Sequence, residues 1–195
     1  MNDDTVFRWV LLVALLLFMP VGLYHRFRAH TGEPLDRRQE GWFVLVGLRV
    51  SAGFAAAGYA TWFFRPAWLA WTAVATPFWL RWIGVGLCLG AGMLLTWTFR
   101  SLGRNLTDTV VTRREHTLVT HGPYRWVRHP FYLTGALGLL GSTLVAANAL
   151  LPALGAIPMA FLVIRTRKEE SNLLARFGDA YLDYMQHPGR FLPRI

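Results

Sequence analysis

Two short stretches hold the residues best suited to chemistry. The first is His116 to Tyr132, HTLVTHGPYRWVRHPFY, and the second is Arg165 to Glu170, RTRKEE. The first combines histidines, the aromatic rings of Tyr124, Trp126 and Tyr132, and prolines at 123 and 130. An aromatic face stacks on a nucleobase and attracts a sulfonium or ammonium cation. Pro130 suits the opening turn of a helix, whose free N–H groups and positive dipole favour a carboxylate or phosphate. In the second stretch Arg165 and Glu169 are four apart and share one helix face. Glu169 can hold a cationic group of a cofactor while Arg165 holds an anionic substrate. The competing reading is plainer: an interfacial aromatic belt beside a solvated helix with an i, i+4 charge pair.

Other chemistries find little support. His116, His121 and His129 are widely spaced, no cysteine accompanies them, and Pro123 and Pro130 interrupt any single helical face, so no metal site is expected. No GxGxxG, Walker or GxSxG pattern is present, which excludes an ordinary Rossmann, P-loop or hydrolase site. The single cysteine, Cys88, allows no intramolecular disulfide.

The elements that must position these residues are membrane helices. The chain is 54% hydrophobic with 16% charge over 195 residues, and the apolar residues come in long runs. Spans are expected at Val6–Tyr24, Trp42–Phe64 and Phe78–Phe99. The first is read as a retained helix, because Asp3 and Asp4 stand where a signal peptide carries basic residues. Phe131–Ala147 and Ala149–Ile164 form a helical hairpin turning at Asn148. A soluble amphipathic helix follows from Arg165, with a stripe of Leu173, Phe177, Tyr181 and Tyr184, and a break at Gly178. Trp62, Trp68, Trp71 and Trp79 suit an interfacial belt. Gly86 and Gly90 offer a close-packing face. Arg49, inside the second span, either snorkels or lines a polar cavity. Val110–Thr112 and Leu118–Thr120 could pair as a small hairpin.

The fold class is therefore an all-α integral membrane protein: five transmembrane helices, the last two a hairpin, and a cytoplasmic C-terminal helix. Residues 1–99 form a three-helix scaffold. Residues 100–195 form the functional region, with a cofactor loop at 100–130, the hairpin at 131–164 and the helix at 165–195. The net charge of +9 comes from Arg in the loops, which speaks for membrane lipids and anionic substrates and against nucleic acid. Alternate loops hold four, six and six Arg or Lys, against Arg8, Arg65 and Arg81 on the other side. The amino terminus is then outside and the carboxyl terminus cytoplasmic, so the sequon at Asn105-Leu106-Thr107 is discounted.

Taken together, HTLVTHGPYRWVRHPFY, the apolar hairpin, RTRKEE and the following FGDAY resemble the isoprenylcysteine carboxyl methyltransferase family, whose signature is an RHPxY loop and a later Glu-Glu pair. The resemblance covers Leu102 to the carboxyl terminus, about half the chain. It implies a methyltransferase using S-adenosyl-L-methionine. The donor would be contacted by His116, Thr117, Leu118, Val119, Tyr124, His129, Pro130, Phe131, Tyr132 and Glu169. Arg165 would be the substrate-side arginine, and Arg165, Glu169 and Glu170 the catalytic set. A Gln that contacts the donor in eukaryotic members falls near Thr109, where this chain has none. The implied acceptor is an isoprenylcysteine-like carboxylate or another small lipophilic carboxylate, thiol or amine, and the compact chain suits a bacterial cell membrane. Two alternatives stand beside it: a sterol-reductase-type membrane enzyme using NADPH, and a non-catalytic membrane factor.

Overall fold

The computed structural model describes residues 3–28, 41–105 and 117–194. Helices α1 (Asp3–Arg28), α2 (Trp42–Phe64), α3 (Phe78–Leu102), α4 (Pro130–Ala146), α5 (Leu150–Phe177) and α6 (Asp179–Gln186) follow in order, and the described residues contain no strand. Helices α1, α2, α3 and α5 are long and apolar enough to cross a membrane. Helix α4, with 17 residues, is the shorter one, roughly 25 Å at ~1.5 Å per residue. Little of these apolar surfaces is covered by protein: only 6% of the α2 span and 28% of the α3 span is buried. Leu15, Leu17, Phe54, Ile83, Leu140 and Ile157 all face outward. Surface of this extent finds its favourable environment in lipid, where each helix satisfies its own backbone. The chain is an integral membrane protein.

Pairwise contacts fix the helix directions. At one end Phe7 of α1 meets Phe78 and Trp82 of α3, and at the other His25 meets Phe99. Thus α1 and α3 run parallel. Gly84 and Cys88 of α3 lie against Gly141 of α4, while Phe99 stacks on Phe131 at the start of α4, so this pair is antiparallel. Helix α2 is antiparallel to α5, with Gly47 under Phe161 and Gly58 under Leu154. The C-terminal ends of α1, α3 and α5 and the N-terminal end of α4 therefore meet at one end of the bundle, which carries both chemically suited stretches.

Helices α3 and α4 approach closely through two glycines. A Cβ on Gly84 would lie 2.7 Å from the Gly141 carbonyl oxygen, and one on Gly141 would lie 2.8 Å from that of Gly84. Gly86 and Gly90, the expected packing face, have nothing within 4 Å. Two positions along a helix is about 200° of rotation, so the glycine pattern at 86 and 90 points away from the seam that Gly84 and Cys88 make. Trp62 also departs from expectation. It is buried in the core with Arg8 over its ring, whereas Trp68, Trp71 and Trp79 are exposed. Arg49 lies exposed on α2.

Arg81 is the one polar staple inside the α1–α3–α4 core among the described residues. Its side chain is buried; Nε and Nη2 donate to the Val145 carbonyl at 3.1 and 2.9 Å, and Nη1 donates to Asp4 Oδ1 at 2.6 Å. Val145 lies in the last turn of α4, where carbonyls have no intrahelical partner, so a guanidinium there both caps the helix and complements its dipole. The turn into α5 is equally specific. Ala147 adopts φ +50°, and Asn148 Oδ1 accepts from the Leu150 and Leu151 N–H groups. Its Nδ2 donates to the Leu69 carbonyl and the Thr72 hydroxyl, in the connection between α2 and α3.

Helix α5 corrects the expected boundary at Arg165. It runs unbroken from Leu150 to Phe177. Nothing between Met159 and Phe177 is Gly or Pro, so the backbone ladder has no reason to stop where the surface turns from apolar to charged. Gly178, at φ +53°, ends it as expected, and Asp179 is the first residue of α6 rather than its cap. The Leu118–Thr120 piece shows no strand, and Val110–Thr112 lies outside the described residues.

Replacing Arg81 by Ala leaves the buried Val145 carbonyl without donors and is expected to cost about 3 kcal/mol. Asp4→Asn, on an exposed partner, should cost less than about 1 kcal/mol. Thermal unfolding in detergent checks the order: equal effects would show that the ion pair, not the carbonyl cap, carries the stability.

Candidate functional site

Pro130, buried at the first turn of α4, sets the direction in which the RHPFY residues leave the loop. His129 and Tyr132 are both buried, their rings edge to face at 5.3 Å. Phe131 turns the other way, stacked on Phe99 with an interplanar angle of 25°. The loop itself is clasped by the C-terminal tail. Arg128 N–H donates to Gly189 O at 2.8 Å, Gly189 N–H to Trp126 O at 3.1 Å, and His129 N–H to Arg190 O at 3.1 Å. A Cβ on Gly189 would collide with the Leu192 carbonyl, so only glycine permits the tail's own turn at this point.

Glu170 is the focus of that clasp. Its Oε1 accepts from Arg128 Nε at 3.2 Å and His129 Nε2 at 3.0 Å, and its Oε2 pairs with Arg190 Nη2 at 2.9 Å. An ionised carboxylate only accepts, so His129 Nε2 carries a proton. Arg190 Nη2 also donates to Thr166 Oγ1, and Arg128 Nη1 donates to the Met185 and Pro188 carbonyls at the end of α6. Loop, α5, α6 and tail thus close on one carboxylate.

Glu169 is placed differently. Tyr132 Oη donates to its Oε2 at 2.8 Å, and His129 Nδ1 lies 3.9 Å away. Its side chain is 33% exposed against 18% for Glu170. Among the described residues its Oε1 has no hydrogen-bond partner. Glu170 is locked, and Glu169 keeps one carboxylate oxygen without a partner among the described residues.

The remaining candidates fall around this centre. Tyr184 Oη donates to the Tyr124 carbonyl at 2.8 Å, which docks α6 beneath the loop. Burial pushes the Tyr124 and Tyr184 phenols above their ordinary range, so both stay protonated donors at neutral pH. Tyr181 and Tyr184 supply the buried part of the expected stripe. Thr117 is held by Asn105, whose amide donates to its hydroxyl at 3.0 Å, and Leu118 and Val119 are half-buried. Arg165 is half-buried one turn before Glu169 on α5. His116 and Thr109 lie outside the described residues.

Sequence reasoning passed over Arg128, Arg190, Gly189 and Thr166 as parts of this centre. The signal was present in outline: two adjacent carboxylates in a basic region cannot be buried without cationic partners. Which cations answer them depends on the tail returning along the loop, and no local pattern encodes that.

The fold and this centre define a class: an all-helical membrane protein with a polar site built where α4, α5 and the carboxyl-terminal tail meet at one membrane face. The isoprenylcysteine carboxyl methyltransferase family model matches residues 83–175, which include α4 and both glutamates. A protein-S-isoprenylcysteine O-methyltransferase of Tribolium castaneum is 35% identical over 120 residues, 60% of this chain and 43% of that protein. A methanethiol S-methyltransferase of Mycobacterium tuberculosis is 37% identical over 73 residues, 37% of this chain and 29% of that protein. The solved structure of the eukaryotic intramembrane Ras methyltransferase ICMT superposes with a TM-score of 0.56 at 31% identity, covering 75% of this chain and 52% of that one. The chain spans about half the length of the curated isoprenylcysteine methyltransferases it matches.

Glu170→Gln leaves two guanidiniums facing a neutral amide in a partly buried cage. It is expected to cost about 3 kcal/mol, read as a lower melting temperature in detergent. Glu169→Gln, with one hydrogen bond and a third of its side chain exposed, should cost less than about 1 kcal/mol. The reverse order would show that Glu170 does not hold the clasp.

Proposed function

We propose that this chain is an intramembrane methyltransferase that uses S-adenosyl-L-methionine and methylates a small lipophilic acceptor. The observation that carries this reading is Glu169: a carboxylate oriented by Tyr132, with one oxygen open, on a wall that Glu170, Arg128, His129 and Arg190 hold still. An α-ammonium group fits that open oxygen as a charge-assisted partner. The match of the family model to residues 83–175 supports the same donor.

In this reading His116, Thr117, Leu118, Val119, Tyr124, His129, Pro130, Phe131 and Tyr132 line the donor pocket with Glu169, and Arg165 orients the acceptor's negative charge. Glu170 positions the others rather than touching the donor. The donor, when bound, supplies a methyl group already activated by a sulfonium. The acceptor is a carboxylate, as in isoprenylcysteine, or a thiolate. Either is nucleophilic once ionised, so the protein's task is alignment and exclusion of water rather than proton abstraction. Tyr132 and Glu169 fix the donor's polar end, and the apolar ends of α4 and α5 let a lipophilic acceptor enter from the bilayer.

The same reading places five spans in the membrane, α4 included, with residues 1–99 as scaffold and 100–195 as the methyltransferase region. The site end faces the cytoplasm of a bacterial cell, with the amino terminus outside. The support is charge: of the 20 Lys and Arg, only Arg8, Arg49, Arg65 and Arg81 lie outside the segments that join helix ends there.

Calorimetry with S-adenosyl-L-methionine in detergent tests this. Glu169→Gln should weaken binding tenfold or more, and Tyr132→Phe about threefold to tenfold. No binding by the native chain, or binding indifferent to Glu169→Gln in a normally melting protein, would overturn the assignment. Incubation with methyl-labelled donor and native lipid extract then identifies the acceptor by what becomes labelled.

A further inference from the structure

A cavity of about 740 Å³ opens between the C-terminal ends of α1 and α3. Its floor is apolar, formed by Pro20 and Val21, and its rim carries Tyr24, His25, Arg28 and Arg100. The Arg28 guanidinium is held in place: Nη1 donates to Tyr24 Oη at 2.8 Å, and the group lies 5.9 Å from the centre of the same ring. Among the described residues no carboxylate pairs with Arg28 or Arg100. Two helix C-termini lie close by, and their partial negative charge opposes an anion. Two full guanidinium charges outweigh those two fractional ones. The result is a cationic rim, without a carboxylate partner among the described residues, over an apolar floor, at a level where the outward leucines of α1, Leu16 and Leu17, give way to charge.

The geometry points to a site for the phosphate of an anionic membrane lipid: headgroup oxygens on Arg28 and Arg100, the acyl chain running down the exposed face of α1. Guanidinium donors suit phosphate oxygens, and this combination of charge above and hydrocarbon below is what a lipid presents at the interface. The volume is in the range of small-ligand pockets. This cavity is distinct from the Glu169 centre. Its lining shares no residue with that centre, and the two are linked through successive ring contacts, His25 to Phe99 at 6.0 Å, Phe99 to Phe131 at 6.2 Å and Phe131 to Tyr132 at 5.9 Å. The lipid would therefore sit beside the donor pocket, bracing α1 and α3 against the loop, and is not the methyl acceptor.

Native mass spectrometry of the full chain, extracted in mild detergent from vesicles of equal phosphatidylglycerol and phosphatidylcholine, tests the site. The native chain should retain phosphatidylglycerol in preference to phosphatidylcholine. The double variant Arg28→Gln, Arg100→Gln should lose at least fivefold of that retention, and Arg65→Gln, at the opposite end, should lose none. Arg28→Lys with Arg100→Lys keeps the charge and should keep most of the lipid. Loss to the same extent in the Lys pair as in the Gln pair would mark structural damage and overturn the proposal. So would equal retention of both lipids, or retention unchanged in the Gln pair. Inorganic phosphate is the other arm: if phosphate alone raises the melting temperature through Arg28 and Arg100, with no lipid retained, the site takes a soluble anion and the lipid assignment fails.

Discussion

Glu170 meets hydrogen-bonding side chains from two separate pieces of chain: Arg128 and His129 from the loop before α4, and Arg190 from the tail after α6. Burying a carboxylate is unfavourable unless charge and hydrogen bonds compensate it, and here the partner of the second oxygen, Arg190, is in reach only if the tail folds back along the loop. The backbone ladder between Trp126–His129 and Gly189–Arg190 is the other half of the same constraint. With that clasp made, His129 and Tyr132 have fixed positions, and Tyr132 in turn orients Glu169. The open carboxylate oxygen is a consequence of the closed one.

The bundle beneath supplies the reference frame. Inside lipid, apolar side chains gain little from meeting each other rather than hydrocarbon, so close backbone approach and a few polar staples decide how helices associate. Gly84 against Gly141 brings α3 and α4 together, and Arg81 caps the far end of α4. Asn148 fixes the turn into α5. Because α5 then runs through without interruption, its charged final turns are held rigidly relative to α4. Arg165, Glu169 and Glu170 emerge from the apolar layer on a helix that cannot bend away from the loop at their boundary.

The spans were readable because the lipid constraint acts on composition alone. Trp42–Phe64 has the expected bounds, and α3 extends only three residues past Phe99. Gly178 was legible as a break because a positive φ there excludes most other residues. The packing face at Gly86 and Gly90 was not, since a GxxxG pattern states that two residues are small and not which way they point. Trp62 likewise was assigned by type to an interface, whereas its place is set by Arg8 and the first turns of α1. The break expected at Arg165 shows the limit of hydropathy: a change of surface polarity is not a change of backbone.

For the site, sequence by itself determined the chemical inventory: an aromatic, proline-set loop and an acidic pair one helix later, in a chain rich in Arg. Those choices are local, because residue type fixes charge, ring and backbone freedom. The tertiary structure alone decided the division of labour. Glu169 and Glu170 are identical side chains at neighbouring positions, and about 100° of helical rotation points one into a cage of Arg128, His129 and Arg190 and the other toward Tyr132. Adjacent residues on a helix necessarily face different partners, and which partners those are depends on where a tail some twenty residues later comes to rest.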